Sequence, residues 1–508
     1  MGFTLASIVR GHAADRPDDE AVVCGDDRLS WAELDGRSSR VGSALLADGL
    51  GPGDRIAVLA RNTTTFFELA FGCAKAGVVL VSLNWRLTAA ELADVLHDAD
   101  PAFVVADADL AGAVGGGLRV LRLGDPYDAW RDAAPADDPD VALAPDDLAY
   151  VLYSSGTTGR PKGVPITHAN LALSERMARE AFRMDEGTVH MCPGPQFHIA
   201  GAGTGLMAMF LGARTVVLRE ITPRILLETI AREGVTHAFM VPAIVQAVVD
   251  APELADHDVS SLRQISYGAA PMTEALLRRA MTALGCTFLG VYGMTETAGT
   301  VVTLDPDDHD PDGPRAGLLR SVGTPLPWIE LQVRDLASGE EAAPGVVGEI
   351  CVRSGQNTPG YWRQPETTAR AIDEDGWLRT GDGAHRDEDG YVFLRDRIKD
   401  MIISGGENVY PAEVENALAT HPDVADVAVI GVPHERWGET VKAVVVLQPG
   451  GTADAETLRA HARTLLAGYK CPTSVEVVAG LPRNPTGKVL KKVLRETYAA
   501  GASVAEVR

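Results

Sequence analysis

Helical and strand-like segments alternate along this chain from residue 30 to beyond residue 300, and that alternation constrains the fold more than any other feature. Residues 5–15 and 30–50 repeat apolar positions at helical spacing, and RIAVLA (55–60) reads as a buried strand. FFELAFGCAKAGVVLVSLN (66–84) reads as helix, glycine turn and strand, and PAFVVAD (101–107) as a further short strand. The order continues through ARTVVL (213–218), ILLETIAREG (225–234), HAFMVP (237–242) and LRQISYGAA (262–270), with a helix following. This predicts a layered α/β architecture with largely parallel sheets.

From about residue 320 the texture changes. VGTPLPWIELQVRD, GEICVRSG and GYVFLRD are short strand patterns separated by Gly, Pro and Asp turns, which predicts a β-rich subdomain over about 320–396. After DRIKD (396–400) the pattern is smaller and α+β: YPAEVENALATHP as helix, VADVAVIGVP and VKAVVVLQ as strands, ADAETLRAHARTLL as helix. A chain of 508 residues exceeds one core. The expected division is a domain over 1–396, a connector at 397–400 and a small α+β domain over 401–508. No internal repeat is visible, and the Ala/Asp/Pro-rich stretch 132–147 reads as a surface loop.

The net charge of −24 argues against nucleic-acid or anionic-membrane partners, which would repel the chain. Six cysteines lie scattered at 24, 73, 192, 286, 351 and 471 with no CxxC pair. Buried free thiols in a reducing compartment fit this better than a disulfide framework or a metal site. The N-terminus lacks a basic start followed by an apolar run. The most apolar stretch, near 69–83, is short and interrupted by Lys75, so no stable membrane insertion is expected. A cytoplasmic protein is the default.

Two lysine-bearing loops lie far apart in sequence. YSSGTTGRPKG (153–163) follows the strand-like DLAYVLY, and NPTGK (484–488) presents Lys488 on a glycine-containing turn. The first does not fit GxxxxGK[ST], but the physics is related. Gly156, Gly159 and Gly163 free the backbone to turn N–H groups toward anionic oxygens. Ser154, Ser155, Thr157 and Thr158 supply hydroxyl donors and Lys162 supplies charge. A Gly/Ser/Thr loop taken alone is a polar surface loop. Two phosphate-compatible elements point instead to one anion site served by two domains.

YSSGTTGRPKG resembles the phosphate-loop signature of the acyl-adenylate-forming superfamily, which includes acyl-CoA synthetases, adenylation domains of peptide synthetases and luciferases. Further motifs follow in that family's order: PQFHIAG (195–201), YGAAP (267–271), VYGMTE (291–296), TGD (380–382), DRIKDMIISGGENVYPAEVE (396–415) and PRNPTGKVLKK (482–492). The match spans nearly the whole chain, and its texture is that of the fatty-acid or 4-coumarate-type CoA ligase branch.

The resemblance implies roles residue by residue. The phosphate loop is Ser154, Ser155, Gly156, Thr157, Thr158, Gly159 and Lys162. Gly268, Ala269, Ala270 and Pro271 would lie against adenine, and Tyr292 in Tyr292–Gly293–Met294 would stack on it. Thr295 would hydrogen-bond phosphate and Glu296 would hold Mg2+. Asp382 and Arg397 would reach the ribose, and Lys399 would be the hinge. Lys488 resembles the catalytic lysine that bridges the substrate carboxylate and the α-phosphate. A mobile ammonium there offsets the repulsion of two anions. Ser404, Gly405, Gly406 and Glu407 would line the passage for coenzyme A.

The acyl pocket implied is bordered by His198, with Ile199, Gly201, Gly203, Val291 and Gly293. FHIAG has no Asp to pair an α-amino group, and Val291 stands where an arginine would suit a dicarboxylate. A neutral monocarboxylate, fatty or aryl, is therefore implied, with Gly201, Gly203, Ala269 and Gly293 leaving it space. Three residues depart from the family pattern: Ser154 for Thr, Ser354 for Gly, and Gly383 for an apolar residue, which predicts a looser loop after TGD.

The activity implied is ATP-dependent formation of acyl-AMP and pyrophosphate, then transfer of the acyl group to CoA, with a C-terminal domain (401–508) acting as a mobile lid. ATP, Mg2+, CoA and a small carboxylic acid are the expected ligands, and the resemblance leaves room for a homodimer. Two alternatives stay open: an acyl-AMP ligase loading a carrier protein's phosphopantetheine, and a non-catalytic nucleotide-binding regulator.

Overall fold

The structure is a computed structural model that describes residues 3–154, 161–270, 272–404, 407–434, 437–483 and 489–498. The side chains of Asp396, Arg397, Lys399, Ile403, Glu407 and Asn408 lie outside that description. The chain forms two compact units. The first runs from the N-terminal region through Leu319 and takes in Gly323–Glu330 and Arg353–Leu378; the second comprises Arg320–Val322, Leu331–Val352 and the chain from Arg379 onward. The stretch read as one β-rich subdomain therefore contributes to both.

The first unit holds two sheets with helices packed against them. A six-stranded sheet runs in the order Arg119–Arg122, Phe103–Ala106, Arg55–Leu59, Val79–Ser82, Leu148–Ser154, Lys162–Thr167. Its pairings are parallel except the last, where Leu148–Ser154 and Lys162–Thr167 form an antiparallel hairpin. A nine-stranded sheet carries the central strands Thr287–Met294, Gln264–Gly268, His237–Met240, Val189–Cys192 and Arg214–Val217, all parallel. Strands Val79–Ser82 and Phe103–Ala106 of the first sheet and His237–Met240 and Gln264–Gly268 of the second bury every residue, which is why they do not read as alternating patterns.

Local chemistry sets the boundaries. Helix Trp31–Ala47 starts on a capping box between Ser30 and Glu33, and Ala89–Ala99 on one between Thr88 and Glu91; each cap contributes about 1 kcal/mol. Helix Thr65–Ala76 ends at Gly77, whose φ of 76° is the left-handed cap a side chain would strain. That helix buries Lys75 completely, where its ammonium meets Asp35 Oδ1 at 2.5 Å and Ser39 Oγ at 2.7 Å. Of the stretch 132–147 read as a loop, Asp132 ends helix Asp125–Asp132 and residues 133–147 carry no helix or strand.

The second unit contains a four-stranded sheet, Glu330–Asp335, Gly348–Arg353, Leu378–Arg386 and Val392–Arg397 in order. A second sheet is centred on the long antiparallel pair Val424–His434 and Gly438–Leu447. Helices Pro411–Ala419 and Ala455–Leu465 bury Val414, Leu418 and Leu458 against it. No cysteine is in a disulfide, and Cys73, Cys192, Cys351 and Cys471 are buried. Among the described residues no helix is long and apolar enough to cross a membrane.

Candidate active site

The hairpin of the six-stranded sheet holds the phosphate-loop motif at its tip. Ala149 to Leu152 are buried, which fixes the ascending strand in register. Its last residue, Ser154, pairs with Lys162 at the start of the returning strand. Ser155, Gly156, Thr157, Thr158 and Gly159 lie outside the described residues. Gly163 follows Lys162 and allows a close approach: a Cβ there would come within 2.9 Å of Trp362 Cβ, and the Trp362 N–H donates to Gly163 O at 2.8 Å.

The YGMTE motif is a tight reversal between two strands of the larger sheet. Strand Thr287–Met294 ends in a one-turn 3-10 helix, Thr295–Thr297, and returns as Gly299–Leu304. Ala298 and Gly299 take positive φ of 48° and 124° to close it. The Thr297 hydroxyl pins the turn, accepting from Met294 N–H at 3.1 Å. Thr295 and Glu296 are buried, at 7% and 6% exposed. Tyr292 is buried one rung earlier.

Glu296 is the informative residue. A carboxylate this deeply buried is ordinarily paired with a cation. Among the described residues it takes part in no ion pair, and its Oε1 accepts from the Tyr361 hydroxyl at 3.0 Å and the Ser154 hydroxyl at 3.5 Å. A buried anionic oxygen beside two hydroxyls suits a hard divalent cation such as Mg2+. Sequence reasoning missed Tyr361. The signal present was TPGYW (358–362), a Pro–Gly turn followed at once by two aromatics with no strand pattern to account for them.

Gly268 to Ala270 end the neighbouring strand. A Cβ at Gly268 would strike Val291 O at 2.4 Å, so glycine lets these strands close together there. Ala269 has φ of 63°, a left-handed conformation costly for a residue with a Cβ, and it is exposed. Strain of this kind concentrates where backbone meets ligand. Pro271 lies outside the described residues.

His198 caps helix Ile199–Met207, its Nδ1 accepting from the Ala200 N–H at 3.1 Å. Burial lowers its pKa to about 4, so the ring is neutral at pH 7 and Nε2 carries the proton. The helix sequence IAGAGTGLM brings no ionisable side chain. Cys192 closes behind it, 3.1 Å from Thr204 Oγ1, and burial pushes its thiol up to about 11. The expectation that Gly201 and Gly293 leave room for substrate is corrected here. A Cβ at Gly201 would lie 2.0 Å from Pro195 O, and one at Gly293 1.9 Å from Gly299 O. Backbone fills both positions, so these glycines serve close packing and not pocket volume. At Gly203 the side chain of Ile199 takes the space, its Cδ1 3.1 Å from where a Cβ would stand.

In the second unit, Asp382 and Arg397 are direct partners across adjacent antiparallel strands. The looser loop predicted at Gly383 is not found: TGD lies within strand Leu378–Arg386, and the register shifts between Asp382 and Ala384. Gly383 is the extra residue of a bulge, which re-aims the strand without breaking it. Lys399 falls in a short 3-10 turn, Ile398–Asp400. Ser404 and Glu407 pair at the tip of a hairpin whose Gly405 and Gly406 lie outside the described residues, as does Lys488.

Comparison with known proteins follows the same outline. The profile described as "AMP-binding enzyme" matches residues 9–362, and "AMP-binding enzyme C-terminal domain" matches 413–488. The fatty acid–[acyl-carrier-protein] ligase ScoC of Streptomyces coeruleorubidus is 38% identical over 505 residues, covering 97% of this chain and 96% of that protein. Feruloyl-CoA synthase of an Amycolatopsis species is 40% identical over 490 residues, covering 95% and 96%. The crystal structure of ATP-bound MatB from Rhodopseudomonas palustris superposes with a TM-score of 0.89 at 34% identity, covering 97% of this chain and 99% of that one.

Proposed function

This chain belongs to the AMP-binding enzyme family, and we propose that within it the protein is an acyl-CoA synthetase acting on a neutral monocarboxylic acid, fatty or aryl. The acid's carboxylate oxygen attacks the α-phosphorus of ATP, releasing pyrophosphate and leaving acyl-AMP. The CoA sulfur then attacks the acyl carbonyl, forming the thioester and releasing AMP. The observation that carries the reading is the buried Glu296 carboxylate, without a cation partner among the described residues, set beside Ser154 at the mouth of the phosphate loop.

Glu296 would hold Mg2+, which when bound neutralises charge on the phosphates. The chain's own groups do the rest. Lys162, Ser154 and Thr295 hold phosphate oxygens; Tyr292 and the Gly268–Ala270 segment receive adenine; Asp382 and Arg397 receive the ribose. His198, neutral, borders the acyl group without adding charge, and the uncharged helix Ile199–Met207 favours an acid with no second ionised group. Lys488 bridges carboxylate and α-phosphate in the first step. The hinge at Lys399, between domains at 1–396 and 401–508, then brings the Ser404–Glu407 hairpin into play for CoA. Catalysis on this account is mostly positioning and electrostatic stabilisation. The unpaired cysteines support a cytoplasmic enzyme; light scattering on the purified protein tests for a homodimer.

Pyrophosphate release across a panel of carboxylic acids, with ATP, Mg2+ and CoA present, is the test. Release with a monocarboxylate and the matching acyl-CoA as product is expected; no release with any acid overturns the reading. The similarity to ScoC supports a second acceptor, a carrier protein's phosphopantetheine. Comparing CoA with a holo-carrier protein at equal concentration decides between them.

A further inference from the structure

Glu296 sits on the turn between two strands of the nine-stranded sheet and Lys162 on a strand of the six-stranded sheet, yet one side chain touches both. The Tyr361 hydroxyl donates to Glu296 Oε1 at 3.0 Å, and Lys162 Nζ lies 4.6 Å from the centre of the Tyr361 ring. The backbone around Tyr361 is tied to the same two places. Three residues earlier, the Thr358 N–H donates to the carbonyl of Glu296 itself at 2.8 Å. One residue later, the Trp362 N–H donates to the carbonyl of Gly163, next to Lys162, at 2.8 Å. Asn170 adds a further anchor, its Nδ2 donating to Gly355 O at 3.0 Å and Asn357 O at 2.8 Å. The segment is thus a strap fixed at Glu296, which its aromatic side chain also meets, and at Gly163, the neighbour of the Lys162 that the ring faces.

We infer that Tyr361 is a positioning residue for both phosphate-facing groups: its hydroxyl aims the Glu296 carboxylate and its ring face holds the Lys162 ammonium. The inference rests on the reading of Glu296 as the metal-holding carboxylate. A hydroxyl donor restricts the rotation of a carboxylate that has no cation partner among the described residues. An aromatic face offers the ammonium a place that uses up neither a phosphate-binding donor nor an acceptor. The two contacts are separable, because phenylalanine keeps the ring and loses the hydroxyl.

Calorimetric titration of ATP into the acid-free protein, with and without Mg2+, tests this without turnover. Tyr361→Phe should leave Mg2+-free ATP affinity unchanged and cut the gain in affinity on adding Mg2+ by about tenfold or more, the worth of one hydrogen bond to a charged group. Tyr361→Leu should also weaken Mg2+-free binding by about three- to fivefold, as the ammonium loses its aromatic face. Glu296→Ala should abolish the Mg2+ gain. If Tyr361→Phe keeps the full gain while Glu296→Ala loses it, the strap is structural only and the inference falls. It falls equally if Tyr361→Phe weakens binding by the same factor with and without Mg2+. If Glu296→Ala keeps the gain, the metal assignment itself is wrong and the inference goes with it. Thermal unfolding of each variant separates a folding defect from either result, and Tyr361→Phe alters the fewest contacts.

Discussion

Ser154 and Lys162 stand directly opposite each other across the final rung of an antiparallel hairpin. The rung fixes both ends of the loop between them, so the lysine enters the site from a strand and not from a free tail. Lys162→Ala should therefore remove one charge with little change in backbone. A hydrogen bond to a charged group is worth about 1.5–3 kcal/mol, so kcat/KM for ATP should fall about 10- to 100-fold. The KM for the carboxylic acid should stay constant. Steady-state pyrophosphate release, varying each substrate in turn, checks the split.

Lys488→Ala should nearly abolish acyl-AMP formation and largely spare thioester formation from supplied acyl-AMP. The lysine is assigned to the approach of two anions, which the second half-reaction lacks. Measuring the half-reactions separately decides it; equal loss of both would remove Lys488 from its assigned step.

Gly293→Ala should destabilise the first unit by at least about 1–3 kcal/mol, because the new methyl meets backbone that cannot move aside. Gly203→Ala is the contrast. It lies in a helix, where alanine is favoured by up to about 1 kcal/mol, and only the Ile199 side chain must shift. Differential scanning calorimetry should show a lowered Tm for the first and an unchanged or raised Tm for the second.

The protein should lose stability on mild acidification. Burial lowers the pKa of His168, His190, His198 and His237 to about 4, 3, 4 and 4. The unfolded chain takes up these protons below pH ~6.5, the folded chain only near 4 or lower, so stability declines as pH falls through that window and is complete above it. Urea midpoints at pH 7.5 and pH 5 should differ. His190→Leu should narrow the difference, since His190 is wholly buried.

Lys75 and Asp35 form an ion pair whose halves are not equivalent: the lysine is wholly buried and the aspartate part-exposed. Asp35→Ala removes the nearer carboxylate from an ammonium with no exposure, leaving Asp138 Oδ2 at 3.5 Å, and should cost about 1–3 kcal/mol. Adding Lys75→Met should restore most of that, because methionine fills the volume without charge. Chemical denaturation of the single and double variants reads out the coupling.

Much of the fold was legible because the inner strands of both large sheets are parallel and buried. Apolar runs such as RIAVLA and HAFMVP have no other stable placement once helices separate them. The site was legible as motifs, yet geometry changed what several of them mean. Gly201 and Gly293 read as open space from sequence, whereas the carbonyls of Pro195 and Gly299 occupy it. Such close approaches depend on pairing between segments that sequence periodicity does not specify. Gly383 read as a loosened loop because one-letter patterns do not reveal a bulge. Tyr361 was invisible for a different reason. Its partners lie on a strand of one sheet, Lys162, and a turn of the other, Glu296, and only the path of the strap brings it to them.

That path has a consequence for biosynthesis. Arg353–Leu378 belongs to the first unit although Leu331–Val352 belongs to the second. A ribosome must therefore reach Leu378, beyond two-thirds of the message, before the first unit can finish closing. Until then Glu296 lacks the Tyr361 hydroxyl that it meets in the folded chain, and the apolar surface awaiting the late segment is open to misassembly.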